Sequence, residues 1–424
     1  MADQIQNTAT PGDATARLER ADWWSFGVTS VLALVGYLFT LAPEVTLEWS
    51  GILTTGAMYG GVGPPAGYPA WTIYSWLFIH LLPLSNPAWR VAVGSAVAAA
   101  VSCGLVALMV SRGGKMLFAG SATFERLTRR EQQWIRGMSG YAAGMALGFS
   151  NSFWYEALVA NFVTFTVLLF TIILYLLMRW MESGRRRHCW LAFLLYGLLL
   201  ANSQEMTTAL PGIVCAILLI DRKFGRDTCL IVIPTVVLAT SITQYAAWNS
   251  LSRTIDWPLL VSFAVAIIAA IASVIATKSF GSEWKAALAC TLCFLAGFAT
   301  YLYLPVVSAT NPPVNWAYSR TLDGFVHLIS RGQFEHVQPA NNLKVLAPEL
   351  WRFMIQTGRE FGWLYVPFAA LPFCLLPRMK SFARKWMAAL ILISICIGPL
   401  LTALLNAPSD RQSSGASTFK LFAG

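Results

Sequence analysis

Lys and Arg residues are sorted among the hydrophobic segments of this chain, and this sorting constrains the fold more than any other feature. Twenty-one of the 30 Lys and Arg residues fall into alternate gaps between apolar runs. Basic residues resist translocation across a membrane and stay in cytoplasmic loops. The pattern therefore predicts an integral membrane protein that crosses the bilayer many times, with its N-terminus in the cytoplasm.

Eleven apolar segments fit this alternation, and an all-α fold follows from them because a run of about 20 apolar residues crosses the hydrocarbon core as a helix. The predicted spans are 24–43, 90–111, 138–153, 158–178, 189–203, 206–221, 228–247, 257–277, 286–305, 361–377 and 387–405. The predicted organisation is a cytoplasmic tail over 1–23, a transmembrane domain over 24–405 and a C-terminal tail over 406–424.

Composition agrees with a membrane protein. The chain is 56% hydrophobic and 12% charged, with a mean hydropathy of +0.58, whereas about 25% charged residues is usual in soluble domains. The net charge of +10 is explained by cytoplasmic loops that face anionic lipid. Since the basic clusters lack interleaved aromatic residues, we expect no nucleic-acid partner. In a bacterium the protein would lie in the inner (plasma) membrane.

The segment Tyr68–Leu84 is apolar but does not fit the alternation. Counting it as a span would place the six cations of 112–136 outside. It is rich in Trp and Tyr and flanked by prolines, so we predict a helix lying at the outer membrane interface. Two long outer loops result, over 44–89 and 306–360.

The contents of these loops suggest a site on the outer face. The first loop carries Glu44 and Glu48 and then the Gly/Pro-rich stretch 60–69. The second loop mixes cations, amides and aromatic side chains from Asn311 onward. Carboxylates from one loop and cations from the other suit a reaction on a lipid phosphate.

The same segments resemble a known family, the GT-C-type membrane glycosyltransferases related to the eukaryotic O-mannosyltransferase of plexin-type IPT domains. The resemblance runs from about residue 40 to about residue 405. The matching pieces are Leu41–Pro43, Ser50–Gly51, Pro65–Pro69, Asn86–Val91, Phe153–Trp154, Ala160–Asn161, Tyr303–Pro305, Asn311–Trp316, Gly324–Phe325 and Ser330–Phe334. The pieces from Tyr303 onward have fixed spacing over about 30 residues and are the most specific.

The resemblance implies a GT-C bundle that takes a hexose such as mannose from a polyprenyl-phosphate carrier. The sugar would go to a hydroxyl of a protein or glycan acceptor at the extracytoplasmic face, with inversion at the sugar carbon. An acidic residue in the first outer loop would be the general base, which supplies about 10²–10⁴-fold in rate. Arginine can stabilise the leaving phosphate.

The sequence departs from the family pattern at its polar positions. Trp49 and Ile52 stand where the family has an aspartate and a glutamate, and Pro64 stands where it has a histidine. Ser203 and Gln204 replace a pair of histidines. Either the base is relocated in this chain, or activity has been lost.

The loop contents and the family resemblance together predict a set of candidate site residues. Those predicted for catalysis are Glu48, Glu44 and Glu205. Those predicted to bind substrate are Arg90, Tyr68, Glu156, Asn161, Asn315, Trp316, Arg320, Arg331 and Gln333. Each also has a structural alternative, such as a solvated carboxylate, a helix cap, a snorkelling cation or an interfacial aromatic anchor.

We expect no cofactor and no divalent metal. His327 and His336 are nine residues apart with no third ligand in view. The cytoplasmic loops are too short for a nucleotide-sugar domain, which favours a lipid-linked donor. Two other functions remain open: a catalytically silent relative that binds lipid-linked sugar or partners a glycosylation enzyme, and a transporter, for which polar residues at mid-bilayer and inverted repeats would be expected.

Overall fold

The structure is a computed structural model. It describes residues 18–47, 49–118, 122–248, 257–279, 281–330, 343–363, 374, 376 and 379–405. Regular structure in these residues is helical apart from one isolated bridge between Val62 and Asn315.

The first half of the chain forms nine helices in the described ranges. They are α1 (Arg20–Thr40), α2 (Ser50–Tyr59), α3 (Pro69–Leu81), α4 (Pro87–Leu117), α5 (Ala122–Glu125), α6 (Arg129–Gly148), α7 (Asn151–Leu158), α8 (Val163–Ser183) and α9 (Arg186–Asn202). Local sequence sets several of the starts. Asn86 precedes Pro87, the first residue of α4, and its side chain accepts a hydrogen bond from the backbone N–H of Trp89. Thr128 and Glu131 form a capping box at the start of α6.

The second half of the chain is also helical in the described ranges. Its elements are a 3-10 turn (Gln204–Thr208), α10 (Ala209–Ile220), α11 (Arg222–Trp248), α12 (Trp257–Thr277), α13 (Trp284–Phe298), a 3-10 turn (Ala299–Leu302), α14 (Tyr303–Ser308), a 3-10 turn (Trp316–Tyr318), α15 (Leu322–Ile329), α16 (Leu343–Phe361), α17 (Ser381–Ile395), a π turn (Cys396–Leu400) and α18 (Leu401–Leu405).

The long helices run in alternate directions, so the bundle has two distinct ends. We call the end at which α1, α6 and α9 begin the basic end, and the end at which they finish the loop end. At the basic end the start of α1 contacts the end of α4 and the start of α6, and at the loop end the Asn86 amide donates to Pro43 O at 2.8 Å. These directions follow the predicted alternation. The predicted span 361–377 lies almost entirely outside the described residues.

A buried ionic network joins four helices at the basic end. Asp22 accepts hydrogen bonds from Arg136 at 2.9 Å and from Ser111 at 2.7 Å, and Glu182 accepts from Arg112 at 2.5 Å. The side chains of Arg112 and Arg136 are only 3% and 4% exposed. These two cations therefore face carboxylates on neighbouring helices inside the bundle. The prediction that the net charge of the cytoplasmic loops faces anionic lipid stays a prediction.

Small residues let the helices approach closely. A Cβ atom on Gly144 of α6 would lie 2.5 Å from Cys103 O of α4. In α9 and α13 the contact is reciprocal, since a Cβ on Gly197 would lie 2.0 Å from Phe294 O and a Cβ on Gly297 would lie 2.0 Å from Leu194 O. Such close backbone contact is typical of helices that pack within a membrane.

Five helical segments in the described ranges are long and apolar enough to cross a membrane. They are Arg20–Thr40, Pro87–Leu117, Val163–Ser183, Trp284–Ser308 and Ser381–Ala403. Gln204–Ile220 and Phe263–Thr277 are shorter apolar helices. The all-α, polytopic class is thus supported, while the count of eleven spans stays a prediction.

Two predicted elements differ in detail from the structure. The predicted span 138–153 crosses a helix boundary, because α6 ends at Gly148 and α7 begins at Asn151. The predicted interfacial segment forms α3, whose 13 residues extend about 20 Å at 1.5 Å per residue. This length is too short to cross a bilayer. Tyr74 of α3 donates to Gly94 O of α4 at 2.8 Å, so α3 packs along the first turns of α4, and its depth in a membrane stays a prediction.

Candidate active site

The candidate site lies at the loop end, where two segments far apart in the sequence pack together. Val62 N–H donates to Val314 O at 2.9 Å, and Trp316 N–H donates to Val62 O at 3.2 Å. A Cβ on Gly61 would lie 2.5 Å from Val314 O, so only glycine allows this approach. The two predicted outer loops therefore contact each other through their backbones.

A shallow cleft opens beside this contact. It has a volume of about 380 Å³ and is lined by Ile52 and Pro313–Ala317. Trp316 lines the cleft, and the ring of Trp49 lies beside it, with the two centroids 6.1 Å apart and the planes tilted by 59°. Two indoles at the edge of an open cleft offer flat apolar faces with polar N–H groups, a combination that suits a sugar ring.

Asn315 and Arg320 hold the turn beside the cleft. The Asn315 amide donates to Ser308 O at 3.1 Å and accepts from the Ser308 hydroxyl at 2.7 Å. Arg320 is exposed; its guanidinium donates to Asn311 at 2.7 Å and lies 5.9 Å from the Tyr318 ring centroid. The Asn315 side chain is thus engaged within the turn, whereas the Arg320 side chain is open to solvent.

Asn161 is the centre of a buried polar junction. Its side-chain amide donates to Glu156 at 2.6 Å. Its backbone carbonyl accepts from the Trp71 indole at 3.0 Å and from the Ser95 hydroxyl at 3.2 Å. Glu156 is only 1% exposed. The predicted residues Glu156 and Asn161 are therefore brought together, and they connect α7 to α3 and α4.

Asn202 extends this junction to α9. Its side-chain oxygen accepts from the backbone N–H of Trp71 at 3.1 Å, and its amide donates to Thr166 at 3.2 Å. Thr166 in turn lies 2.7 Å from the Ser203 hydroxyl. Asn202 thereby satisfies one of the N–H groups that the first turn of α3 leaves without a helical partner. The start of α3 is fixed to the loop ends of α8 and α9.

Tyr68, at the N-cap of α3, is buried. Its ring stacks on Phe162 at a centroid distance of 4.0 Å, and its hydroxyl donates to Pro65 O at 3.0 Å. Its backbone has a positive φ of 46°. The side chain therefore holds the turn that precedes α3, and a direct contact with substrate stays a prediction.

Arg90 lies against the end of α3, and its predicted role in binding a lipid phosphate stays a prediction. Its guanidinium donates to three backbone carbonyls, of Leu84 at 2.9 Å, Ile79 at 2.9 Å and Ser85 at 3.0 Å. These carbonyls lie at and after the C-terminal end of α3, where a helix leaves acceptors without partners. Arg90 thus caps α3, and two of its five N–H groups are left for a ligand.

The predicted catalytic carboxylates fall into different settings. Glu44 is exposed in the turn after α1, and Glu205 is partly exposed in the 3-10 turn after α9. Next to it, the Gln204 amide donates to Ile329 O at 2.7 Å and to the Tyr301 hydroxyl at 3.0 Å. The turn that carries Glu205 is therefore tied to the end of α15, immediately before the predicted Arg331.

Some predicted residues lie outside the described ranges. They are Glu48, Arg331, Gln333 and His336. His327 lies on α15, and in the part of the chain that the structure describes no group of three or more His, Cys, Asp or Glu side chains could hold a metal ion.

Sequence reasoning missed Trp71, Asn202 and Thr166. A Trp in an apolar segment is usually an interfacial anchor, and nothing local distinguishes Trp71 from its neighbours. Asn202 did carry a signal, because an amide at the end of an apolar run is costly to bury unless its hydrogen bonds are satisfied.

Together, the helical bundle and its folded loop end define a multi-pass membrane protein with a polar site at one end. The family model described as the Protein O-mannosyl-transferase TMEM260 N-terminal domain matches residues 50–228. The chain is related to this eukaryotic O-mannosyltransferase family. The matched region runs from α2 into α11 and contains the junction around Asn161 and Asn202.

The match to an individual relative is shorter. The mouse (Mus musculus) Protein O-mannosyl-transferase TMEM260 is 37% identical over 109 residues, which are 24% of this chain and 16% of that protein. The aligned region thus spans less than a fifth of the curated relative. No solved structure matches the chain.

Proposed function

We propose that the chain is a glycosyltransferase of the O-mannosyltransferase kind. It moves a hexose such as mannose from a polyprenyl-phosphate donor to a hydroxyl of a protein or glycan at the extracytoplasmic face. The observation that carries this proposal is the family match over residues 50–228, since that region contains the loop-end polar junction. The proposal includes a GT-C arrangement of about eleven spans with the basic end in the cytoplasm.

At the anomeric carbon the reaction forms one bond and breaks one, and a proton moves from the acceptor to a carboxylate. A carboxylate takes the proton of the acceptor hydroxyl, and the acceptor oxygen bonds to the anomeric carbon of the sugar. The bond from that carbon to the phosphate oxygen breaks, and the polyprenyl phosphate leaves with the electron pair. Attack opposite the leaving group inverts the anomeric carbon. No divalent metal takes part in the proposal.

The described residues suggest where each part of the substrate lies. The Trp49 and Trp316 indoles bind the sugar face at the cleft. Arg320, exposed on the same turn, pairs with the phosphate. Arg331, outside the described residues, is proposed from the sequence as a second phosphate ligand. Arg90 takes part through the two N–H groups that its backbone contacts leave.

The base is one of three carboxylates, Glu205, Glu44 and Glu48. Glu205 is favoured by its place between α9 and α15, because the contact from Gln204 to Ile329 brings its turn to the second outer segment. A base must approach the acceptor hydroxyl within about 2.6–3.2 Å. Glu44 is exposed after α1, and Glu48, four positions later in the sequence, lies outside the described residues.

The test is sugar transfer in membranes that contain the wild-type chain, Glu205→Gln, Glu44→Gln or Glu48→Gln. A panel of polyprenyl-phosphate sugars with radiolabelled sugar is supplied, and label is counted in protein and lipid fractions. Glu125→Gln is the matched control, because Glu125 is exposed near the basic end. Loss of the base lowers transfer by about 10²–10⁴-fold, while Glu125→Gln keeps wild-type activity.

Equal transfer by all four variants and the wild type would reject these three carboxylates as the base. No transfer by folded wild type, with a control enzyme active on the same panel, would reject the enzyme. One observation favours a silent binder in that case. Trp49, which stands where the resemblance expects an aspartate, packs against Trp316. Such a protein would still bind the lipid-linked sugar, and Trp316→Ala would weaken that binding.

A further inference from the structure

A second cavity lies at the basic end of the bundle, far along the chain from the loop-end site. It has a volume of about 500 Å³ and is lined by residues from α9 and from the start of α13 with the turn before it. Trp190 and Trp284 stand on its walls and are 39% and 49% exposed. We call this cavity the basic-end crevice.

Cationic groups surround the crevice. Lys285 lines it and is exposed, with its ammonium 5.9 Å from the Trp284 ring centroid. Arg186 lies beside it, donating to Asp221 at 2.8 Å and lying 3.6 Å from Glu283. Glu283, the one carboxylate among the described lining residues, is therefore already paired. Lys285 is left as the cation that can meet an anion in the crevice.

The crevice continues into an apolar stripe on α13. Trp284, Leu288 and Leu292 are spaced four residues apart, so they share one face of the helix, and all three are exposed. A ligand that matches this surface is charged at one end and apolar along its length. A soluble anion would use only the polar part.

We propose that the basic-end crevice binds an anionic phospholipid of the adjacent leaflet. Its phosphate meets Lys285 and the indole N–H groups, and one acyl chain follows Trp284, Leu288 and Leu292. Tryptophan suits this level of the membrane because its ring is apolar and its N–H is polar. The site is independent of the sugar-transfer proposal, since it lies at the opposite end of the helices.

The test is native mass spectrometry of the purified full-length chain in detergent, titrated with phosphatidylglycerol or with phosphatidylcholine. The wild type should bind phosphatidylglycerol more tightly. Lys285→Gln should weaken that binding about fivefold, since a Lys near an anionic surface contributes about 1 kcal/mol. Lys223→Gln is the matched control, because Lys223 is exposed at the same end but outside the crevice, and it should change binding less than twofold.

A second variant tests the crevice walls. Trp190→Ala should weaken binding of both lipids, whereas its melting temperature should stay near that of the wild type because Trp190 is exposed. Equal binding of the two lipids by the wild type would overturn the proposal. Equal effects of Lys285→Gln and Lys223→Gln would also overturn it, since binding would then be diffuse. Displacement of the lipid by millimolar inorganic phosphate would identify a free-anion site instead.

Discussion

The carboxylate of Glu360 caps the first turn of α7 from the end of α16. It accepts the backbone N–H of Ser152 at 2.6 Å and the Ser152 hydroxyl at 3.1 Å. Helix starts leave N–H groups without partners and carry a partial positive charge. Glu360 therefore ties the second outer segment to the helix that carries Glu156, across 208 positions of sequence.

Replacing Glu360 by Ala should destabilise the protein by about 1 kcal/mol, the usual cost of a lost helix cap. Thermal unfolding in detergent measures this as a lower melting temperature. Glu349→Ala is the control on the same helix. Among the described residues Glu349 pairs with Arg352 at i,i+3, where the Arg352 side chain is 47% exposed, and such pairs contribute little. Equal shifts for the two variants would contradict a capping role.

Gly197→Ala should strongly reduce the yield of folded protein. The added methyl group would lie 2.0 Å from Phe294 O and 2.7 Å from the backbone nitrogen of Phe298. Because both are backbone atoms, the clash is relieved only if α9 and α13 move apart. Gly113→Ala is the control, because a Cβ there has nothing within 4 Å. It should be neutral or slightly stabilising, since Ala favours a helix over Gly. Size-exclusion chromatography of both variants decides the point.

Arg136→Met should be far more damaging than loss of an exposed cation at the same end. It would leave Asp22, whose side chain is 0% exposed, without its main charge partner, and breaking a buried pair costs about 3–5 kcal/mol. Arg126→Met removes the same charge at an exposed position and should leave stability nearly unchanged. Unfolding temperatures that fall equally in both variants would count against the network.

The contribution of Glu19 to stability should depend on pH. Burial raises the pKa of its carboxyl, but hydrogen bonds and charges from Lys115 and Arg136 lower it more, from 4.5 to about 2. A depressed pKa stabilises the folded state above about pH 4.5, and this contribution is lost as the pH falls toward 2. The melting temperatures of wild type and Glu19→Gln should therefore differ most at pH 6, and the difference should narrow toward pH 3. A gap that stays constant over this range would exclude the effect.

The direction of the helices could be predicted from the sequence because the information is local. Each gap between apolar runs carries its own charge, so the side of each loop follows without knowledge of packing. The contacts of Arg112 and Arg136 could not be predicted in this way. Whether a cation at a span end faces lipid or a carboxylate depends on which helices become neighbours.

The loop-end site shows the same limit. Glu156 and Asn161 are five positions apart, and their pairing is within reach of sequence reasoning. The hydrogen bond from Trp71 to Asn202 crosses 131 positions and exists only once α3 packs against α9. For Arg90, the sequence could not show that its guanidinium donates to three backbone carbonyls at and after the end of α3, and its role as a phosphate ligand stays a prediction.

The reciprocal glycine contact of α9 and α13 also orders the assembly of the protein in the cell. The two helices run in the same direction, so the chain must return to the basic end between them before they can pair. At about 5–20 residues per second, the ribosome needs roughly 5–20 s to travel from Gly197 to Gly297. During that interval the face of α9 that carries Gly197 lacks its packing partner. A nascent chain that stops before α13 would leave this face exposed to insertion chaperones and quality-control proteases.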